Sequence, residues 1–333
     1  MTKTPTADLN YELKNEAIAQ YRYKEPSESK LLIASTRKII TFDEYIQKLK
    51  HQSVFIFNKS TVQNVRIETF KSITGGKIEF FILNIIDSNT AEVLIKTTTK
   101  LKLKSELKTD VAFVKIMHKE NDIYTVNFNT DVMDLINKFG KVPLPPYIED
   151  NPIKYKDYKN EFATGGFSVA SSTAGLHFSL EMISLLKAKG HKVFLINLDI
   201  NLGTFKQIDT ELVEDYKIHS ENYKINKFDF ENILEYKKAG YKIVAVGTTV
   251  LRTLETVINT KVYEGSTNLF ITPGFKFKVI DTLITNFHAP KSSLLSIVQT
   301  IFGEKWRSLY SFAQSNNLKF LSFGDAVLFN IDE

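Results

Sequence analysis

Two runs of the sequence combine histidine with small polar residues where packing alone would favour apolar side chains. The first is SVASSTAGLHF (168–178), which brings Ser172, Thr173, Gly175 and His177 to the start of a predicted helix. Hydroxyls beside a glycine let a ligand approach the backbone, and an imidazole transfers protons near neutral pH. A tight strand-to-helix turn with a packed histidine would give the same run, so both interpretations stay open.

The second run is LITNFHAPKSSLL (283–295), in which a predicted strand passes into a loop. Asn286, His288 and Lys291 fall in that loop, and Ser292 is placed to cap the next helix. Catalytic groups collect in loops at strand ends. A capped helix with a surface histidine is an equally good interpretation of these residues.

A third run, GTTVLRTLE, follows a predicted strand and opens a helix. Gly247, Thr248 and Thr249 would offer hydroxyls and helix-terminal amides to a carboxylate or another anion. Arg252 lies one turn further on and is one of only five arginines among 43 basic residues. We favour a bidentate contact to a substrate anion over the alternative, a surface ion pair with Glu255.

Charged residues elsewhere give weaker signals. Asp325 stands in a turn, FGDAVLF, where a single aspartate is usually structural. Lys100, Lys102 and Lys104 alternate in KLKLK, and on a strand they would share one face suited to nucleic-acid phosphates. Lysines also protect an exposed edge strand from unwanted pairing, and that alternative is equally strong.

The composition excludes several kinds of chemistry. The 333 residues contain no cysteine, so disulfides, thiolate nucleophiles, iron–sulfur clusters and cysteine-ligated zinc are ruled out. No GxGxxG, GxxxxGK[ST], HExxH or GxSxG motif is present, so the usual nucleotide, metalloprotease and hydrolase sites have no support. The net charge is only +5 and no apolar run is long enough to span a membrane, so we expect a cytoplasmic protein.

The elements that must position these residues change in type along the chain. A short helix is expected at 43–50, with Asp43 as its cap. Six short strands then follow one another without a helix, which predicts a small antiparallel barrel or sandwich; they cover 53–58, 65–70, 77–86, 91–97, 111–117 and 123–128.

Helices and strands alternate after the proline-rich run KVPLPPYI. This alternation predicts a layered α/β domain. The predicted helices cover 180–189, 230–239, 249–258, 294–302 and 305–314. The predicted strands cover 192–198, 242–247, 279–285 and 319–323. We therefore expect an α/β domain made of residues 1–57 and 141–333, with an antiparallel β-barrel domain inserted at 58–140.

Taken together, these runs resemble the S-adenosylmethionine:tRNA ribosyltransferase-isomerase (QueA) family of queuosine biosynthesis. Ten stretches match in the family's order and span nearly the whole chain: IAQ (18–20), TGGKIEF (74–80), PLPPYI (143–148), STAGLHF (172–178), LGTF (202–205), HSE (219–221), GTTVLRTLE (247–255), PGFKF (273–277), TNFHAPKSSLL (285–295) and FGDA (323–326). Any one of them is weak, but ten in order are specific.

The resemblance implies a transfer and isomerisation of the ribosyl group of S-adenosylmethionine. The acceptor is 7-aminomethyl-7-deazaguanine at the wobble position of tRNA, and the product is epoxyqueuosine, with adenine and methionine released. The resemblance also implies an α/β body with an inserted β-barrel, S-adenosylmethionine as co-substrate, and the anticodon region of tRNA as partner. No metal or prosthetic group is required, and the oligomeric state is not indicated.

The resemblance also selects site residues. His177, His219 and His288 are the candidate general bases, with Glu221 and Asp325 as second choices. We hypothesise that His177 and His288 line the active site. Binding of S-adenosylmethionine is expected to involve Ser172, Thr173, Gly175, Gly247, Thr248, Thr249, Arg252, Asn286 and Lys291. Lys100, Lys102 and Lys104 are the candidate tRNA contacts.

The chain departs from the family pattern at several positions. Asp199 and Tyr216 stand where the family has histidines, and Pro26 and Lys30 stand where arginines are usual. A divergent but active enzyme is consistent with these changes. A catalytically altered paralogue that binds tRNA, or that uses another acceptor for S-adenosylmethionine, is also consistent with them.

Overall fold

The computed structural model describes residues 3–98, 100–152 and 154–331. The chain divides into two compact units. The first contains the residues up to Thr61 and those from Pro145 onward, and the second is Val62–Leu144. These borders lie four residues beyond those expected from the sequence.

The described residues form fifteen strands: β1 (Lys30–Ile33), β2 (Lys38–Thr41), β3 (Ser53–Asn58), β4 (Arg66–Phe70), β5 (Lys77–Ile85), β6 (Thr90–Thr97), β7 (Glu106–Lys108), β8 (Phe113–Glu120), β9 (Ile123–Phe128), β10 (Lys192–Leu198), β11 (Glu221–Lys224), β12 (Lys242–Val246), β13 (Glu264–Thr267), β14 (Thr282–Asn286) and β15 (Ala326–Asn330). They also form eight α-helices: α1 (Phe42–Lys48), α2 (Val132–Phe139), α3 (Lys154–Asp157), α4 (Leu180–Ala188), α5 (Lys227–Lys238), α6 (Thr248–Thr260), α7 (Ser293–Phe302) and α8 (Lys305–Ser315). Short 3₁₀ helices cover Thr6–Leu9, Asn15–Ala17, Pro26–Glu28, Thr173–His177, Leu202–Phe205 and Val213–Asp215.

One sheet runs through the described part of the first unit, in the order β13-β11-β10-β3-β12-β14-β15-β1-β2. Strands β10, β3, β12 and β14 are parallel, whereas β15 is antiparallel to β14 and parallel to β1. The carboxyl ends of the four parallel strands therefore meet the amino ends of β15 and β1 at one edge of the sheet, which we call the carboxyl edge. Ligands of open α/β sheets bind at such an edge.

The central strand β3 explains why the sheet is covered on both faces. Its sequence, SVFIFN, is buried throughout. Alternate residues of a strand point to opposite faces, so Phe55 and Phe57 pack in the cluster that includes α4, while Val54 and Ile56 pack in the cluster that includes α6. Layers of helices on both sides of the sheet confirm the α/β architecture expected from the alternating pattern.

Two helices have N-caps that the sequence analysis did not identify. Helix α1 is capped by Thr41, whose hydroxyl accepts the Glu44 amide, and not by Asp43. Helix α5 is capped by Asn226, so it begins three residues before the helix expected at 230–239. In both cases another polar residue just upstream takes the cap, because caps require extended backbone and a side-chain acceptor rather than a particular residue.

The predicted closing strand at 319–323 is wrong. This segment is a turn in which Leu321 has a φ of 68°, and the last strand is β15 (Ala326–Asn330). The Asp325 carboxylate fixes the turn by accepting the amides of Lys319 and Lys30 at 2.7 and 3.0 Å. An aspartate that binds local backbone amides competes with strand pairing.

The second unit contains an antiparallel sheet in the order β4-β5-β6-β9-β8-β7. Five of its strands correspond to predicted strands, but β7 and α2 were not expected. Helix α2 follows β9, and Asp131 caps it by accepting the amides of Met133 and Asp134. Its buried residues Val132, Leu135 and Ile136 have helical spacing, which the sequence reading overlooked.

In the described part of the chain, no helix combines the length and the apolar character needed to cross a bilayer.

Candidate active site

The segment 165–173 crosses the carboxyl edge of the sheet. Near its start the Ser168 hydroxyl lies 2.7 Å from that of Ser60, just beyond β3. At its end the Thr173 hydroxyl donates to Asn286 Oδ1 over 3.0 Å, at the end of β14. The crossing therefore links the ends of separate strands and brings together two of the runs that the sequence singled out.

Gly247 shapes the start of α6 beneath this crossing. Its φ of 100° is a conformation that side chains rarely adopt, and a Cβ there would lie 3.3 Å from Ser172 Oγ. Thr248 and Thr249 are buried, and Thr249 Oγ1 lies 3.3 Å from Ser172 Oγ. Three of the predicted binding residues thus contact one another, and they support the crossing segment from within the fold.

A cavity of about 240 Å³ opens at the carboxyl edge. It contains Thr173, Asn286 and His288 from the predicted site. Its further polar lining comes from Tyr147, Tyr158, Ser171, Gln207, Ser292 and Ser322, with Lys206 as the charged residue. A concave site with several convergent polar groups is the expected form of a small-molecule pocket.

Two buried hydroxyls in this cavity have no hydrogen-bond partner of normal geometry among the described residues. Ser171 Oγ and the Tyr158 hydroxyl are both buried, and neither makes a hydrogen bond of normal geometry to a described residue. Burial raises the pKa of Tyr158, and the nearby Ser322 and Ser171 only partly oppose this. Buried polar groups are almost always paired, so these hydroxyls point to a bound ligand or solvent.

His288 also lines the cavity. Its Nε2 lies 3.0 Å from Thr285 Oγ1, while no described residue hydrogen-bonds its Nδ1. Burial lowers the pKa of His288 from 6.5 to about 3. The imidazole is therefore neutral at pH 7, and in the tautomer whose Nε2–H donates to Thr285 the Nδ1 lone pair is open to a substrate.

His177 does not line this cavity, because both of its nitrogens are used inside the fold. Nδ1 lies 2.9 Å from the Ser29 hydroxyl, and Nε2 accepts from Asn286 Nδ2 over 3.2 Å. The ring stacks on Phe42 with 4.7 Å between centroids. Burial, and then the charge of Arg22, lower the pKa of His177 to about 3. His177 therefore orients Asn286, which does face the cavity, and His177 itself lines a small cavity that shares Ser322 with the larger one. That His177 lines the active site stays a prediction.

Arg252 and Glu221 are not available to a substrate. They form a buried ion pair between Nη1 and Oε2, with 6% and 4% of the side chains exposed. Arg252 also donates to the carbonyls of Leu269 and Thr267 at 3.0 and 3.4 Å. The alternative pairing with Glu255 is wrong too, because the Glu255 carboxylate accepts backbone amides of residues 278–280.

Four other predicted site residues lie away from the cavity. Asp325 is buried and holds two backbone amides; burial raises its pKa. His219 is exposed and lies against Gly203. Gly175 is packed by Asn160, which would lie 2.8 Å from any Cβ there. Lys291 adopts a φ of 54°, and its backbone bonds residues on neighbouring segments. Asp325 and Gly175 have clear structural uses in a turn and in close packing, and the roles predicted for all four residues in the reaction stay predictions.

The lysine run of the second unit is a loop and not a strand. Lys104 has a φ of 62° and lies in a turn, so the three lysines do not alternate on one face. Lys100 and Lys102 instead line a concavity of about 320 Å³ with Lys71, Lys108 and Glu106. The expected strand face is therefore corrected, while a local concentration of positive charge is present.

Comparison with known proteins identifies the family. The family model described as "Queuosine biosynthesis protein" matches residues 6–329. The chain belongs to this family. The S-adenosylmethionine:tRNA ribosyltransferase-isomerase of Nitrosomonas europaea is 36% identical, with 97% of this chain and 96% of the relative covered. The protein of the same name from Sulfurihydrogenibium sp. is 38% identical, with 97% and 98% covered.

A solved structure agrees with this assignment. The S-adenosylmethionine tRNA ribosyltransferase of Thermotoga maritima has a TM-score of 0.54 to this chain at 29% identity, and the match covers 96% of this chain and 99% of the other. The queuosine biosynthesis family thus supports both the mixed α/β fold and the activity inferred from the ten stretches.

The departures of this family member have structural uses. Asp199, in place of a family histidine, accepts the Phe167 amide at 2.9 Å and the Ser60 hydroxyl at 2.5 Å. Tyr216, in place of the other, packs edge-on against Phe270. Asp199 therefore holds the crossing segment, whereas Tyr216 packs in an apolar cluster with Ile208 and Val213.

Several cavity residues of this family member were missed by sequence reasoning. Tyr147 lies in the family-like stretch PLPPYI, and Ser171 lies in the run that was singled out, so both carried a signal that was not followed. Tyr158 and Ser322 carried none, since a lone tyrosine or serine is unremarkable until the fold buries its hydroxyl.

Proposed function

We propose that the cavity at the carboxyl edge is where this S-adenosylmethionine:tRNA ribosyltransferase-isomerase carries out its reaction. The proposed acceptor is 7-aminomethyl-7-deazaguanine at the tRNA wobble position, and the proposed products are epoxyqueuosine, adenine and methionine. The observation that carries the proposal is the pair of buried, unpartnered hydroxyls, Ser171 and Tyr158, beside a neutral histidine.

The size of the cavity limits what it holds. Pockets that enclose a whole drug-sized ligand measure roughly 300–1,000 Å³, and this one is about 240 Å³. It therefore encloses one end of S-adenosylmethionine or a single base, and the rest of the substrates lies at its mouth. A base taken out of its stack and held by hydroxyl and amide groups fits such a recess.

His288 is the proposed general base. The sulfonium of S-adenosylmethionine acidifies the adjacent ribose 5′ carbon, and a neutral imidazole at the cavity wall is able to accept that proton. Asn286 is the proposed orienting group, because Thr173 and His177 fix both ends of its amide. His177 supports Asn286 and does not itself accept the proton.

The second unit is the proposed tRNA-binding domain, and we propose that it closes into a small barrel. The two outermost strands, β4 and β7, are bridged at their ends: the Ser72 amide donates to the carbonyl of Lys108, the last residue of β7, over 2.9 Å, and the Asp110 amide donates to the carbonyl of Phe70, the last residue of β4, over 3.1 Å. Its lysine-lined concavity, with Lys100 and Lys102, would contact phosphates near the anticodon. A tRNA substrate implies a cytoplasmic enzyme.

The test of the function is incubation with S-adenosylmethionine and tRNA carrying 7-aminomethyl-7-deazaguanine, followed by nucleoside mass spectrometry. We expect epoxyqueuosine and free adenine in equal amounts. Tight tRNA binding without either product would instead identify a catalytically altered paralogue. Adenine release only with a different acceptor would identify a changed substrate.

The test of the site is the replacement His288→Gln, which keeps a group able to bond Thr285 but removes Nδ1. We expect kcat to fall by about 10²- to 10⁴-fold, the usual contribution of a general base. His118→Gln is the matched control, since His118 is exposed on β8. Equal kcat values for the two variants would exclude His288 as the base.

A further inference from the structure

Arg22 carries a buried charge without a close partner. Its Nε is completely buried and makes no hydrogen bond to a described residue. Its nearest carboxylate is that of Glu161, at 3.9 Å from Nη2, and only 14% of the Arg22 side chain is exposed. Glu161 and Asp157 act on this charge only from a distance, and burial outweighs them and lowers the pKa of Arg22. A buried charge is costly unless it is closely paired and hydrogen-bonded, so the position favours a further anion in direct contact.

The other arginines show how unusual this is. Each of them donates a hydrogen bond to a protein oxygen: Arg37 to Ser308, Arg66 to Glu79, Arg252 to Glu221 and Arg307 to Glu304. Arg22 donates none to the described residues. The arginine that the sequence favoured for a substrate anion, Arg252, is thus the one most completely occupied, and Arg22 is the one whose donors are free.

Arg22 lies next to the candidate active site. With Pro26 and His177 it lines a cavity of about 10 Å³, to which Ser322 also belongs. Ser322 lines the larger cavity as well, so the two cavities share a wall. A space of this size holds about one water-sized group, which is the size of a single oxygen atom of a carboxylate or phosphate.

We propose that Arg22 binds an anionic oxygen of a substrate, and this rests on the proposed site. A guanidinium fork recognises the oxygens of a carboxylate or of a phosphate in the same way. The two sources in this reaction are the methionyl carboxylate of S-adenosylmethionine and a phosphate of tRNA. Pro26, which stands where an arginine is usual in the family pattern, lines the same small cavity, so Arg22 supplies a guanidinium from a different position.

The test compares Arg22→Gln with Arg22→Lys and with the control Arg37→Gln, which removes an exposed arginine. Loss of a charge-assisted hydrogen bond is expected to raise the KM for one substrate about 10- to 100-fold in Arg22→Gln. Arg22→Lys keeps the positive charge without the planar guanidinium, so its KM should lie between those of the wild-type protein and Arg22→Gln. The melting temperature of the ligand-free protein should fall no further in Arg22→Gln than in Arg37→Gln, because Arg22 loses only a long ion pair with the exposed Glu161 and no hydrogen bond to a described residue.

The kinetic and thermal results distinguish the methionyl carboxylate from a tRNA phosphate as the anion that Arg22 binds. A higher KM for S-adenosylmethionine, together with loss of the thermal stabilisation that S-adenosylmethionine alone gives, identifies the carboxylate. A higher KM for tRNA alone identifies a phosphate. Unchanged KM values for both, or a ligand-free melting temperature well below that of Arg37→Gln, would overturn the proposal. Thermal stabilisation by S-adenosylmethionine does not depend on turnover, so failure of the proposed function would be seen separately, as absence of product from the wild-type protein.

Discussion

The ion pair between Arg252 and Glu221 predicts that Arg252 serves stability and not substrate affinity. Replacing Arg252 by Met removes the charged partner of the Glu221 carboxylate, which is 4% exposed, and keeps the hydrogen bond from the Asn201 amide at 3.0 Å. Breaking a buried pair in this way costs about 3–5 kcal/mol. A change of 1 kcal/mol shifts the melting temperature of a large domain by about 2–4 °C, so we expect Arg252→Met to melt on the order of 10 °C lower.

The assay is urea and thermal unfolding combined with steady-state kinetics. The double variant Arg252→Met/Glu221→Gln removes both charges but keeps an acceptor for the Asn201 amide, so it should regain most of the lost stability. The control is Lys238→Met, which breaks an exposed pair with Glu235 and should change stability by less than about 1 kcal/mol.

The KM for S-adenosylmethionine should stay within the control range in every variant that remains folded. A large rise in KM for S-adenosylmethionine without a loss of stability in Arg252→Met would refute this reasoning. It would return Arg252 to the role that the sequence suggested for it.

Three further outcomes are expected. Burial lowers the pKa of His288 from 6.5 to about 3, so only the unfolded chain binds a proton at this residue as the pH falls through 6.5. The free energy of unfolding should therefore drop between about pH 7 and pH 5, and it should drop less in His288→Gln. Gly247→Ala should lose about 1–3 kcal/mol in urea unfolding, because φ is 100° there. Changing Lys100 and Lys102 to Glu should weaken tRNA binding and flatten its salt dependence, whereas Lys104→Glu alone should change it less.

The sequence predicted those elements whose signal is local. The fully buried β3, with its apolar centre VFIF, was found at its exact bounds. The helices that stop before Gly190 and Gly240 were found within a few residues, because both glycines adopt the positive φ expected at a helix end. Strands of the second unit were found from their alternating pattern and turn residues. The α/β class followed from the order of these elements.

Contacts between segments that are distant in the sequence could not be predicted from local sequence patterns. Helical spacing suggested Glu255 as the partner of Arg252 on α6, but the actual partner is Glu221, 31 residues away on strand β11. In the same way KLKLK has the spacing of a strand, and only the positive φ of Lys104 shows that the chain turns there. Free and occupied side chains look alike in a sequence, since burial and pairing are decided by tertiary structure.

The position of β3 in the sheet has a consequence for how the protein is made. This strand leaves the ribosome early, yet its neighbours β10 and β12 are more than 130 residues further along, and β1 must wait for β15. The hairpins of the second unit close over short distances and are able to form first. Until translation has passed α6, which ends at Thr260, the apolar side chains of β3 lack the strands and helices that cover them, which makes a stalled or shortened chain prone to aggregation.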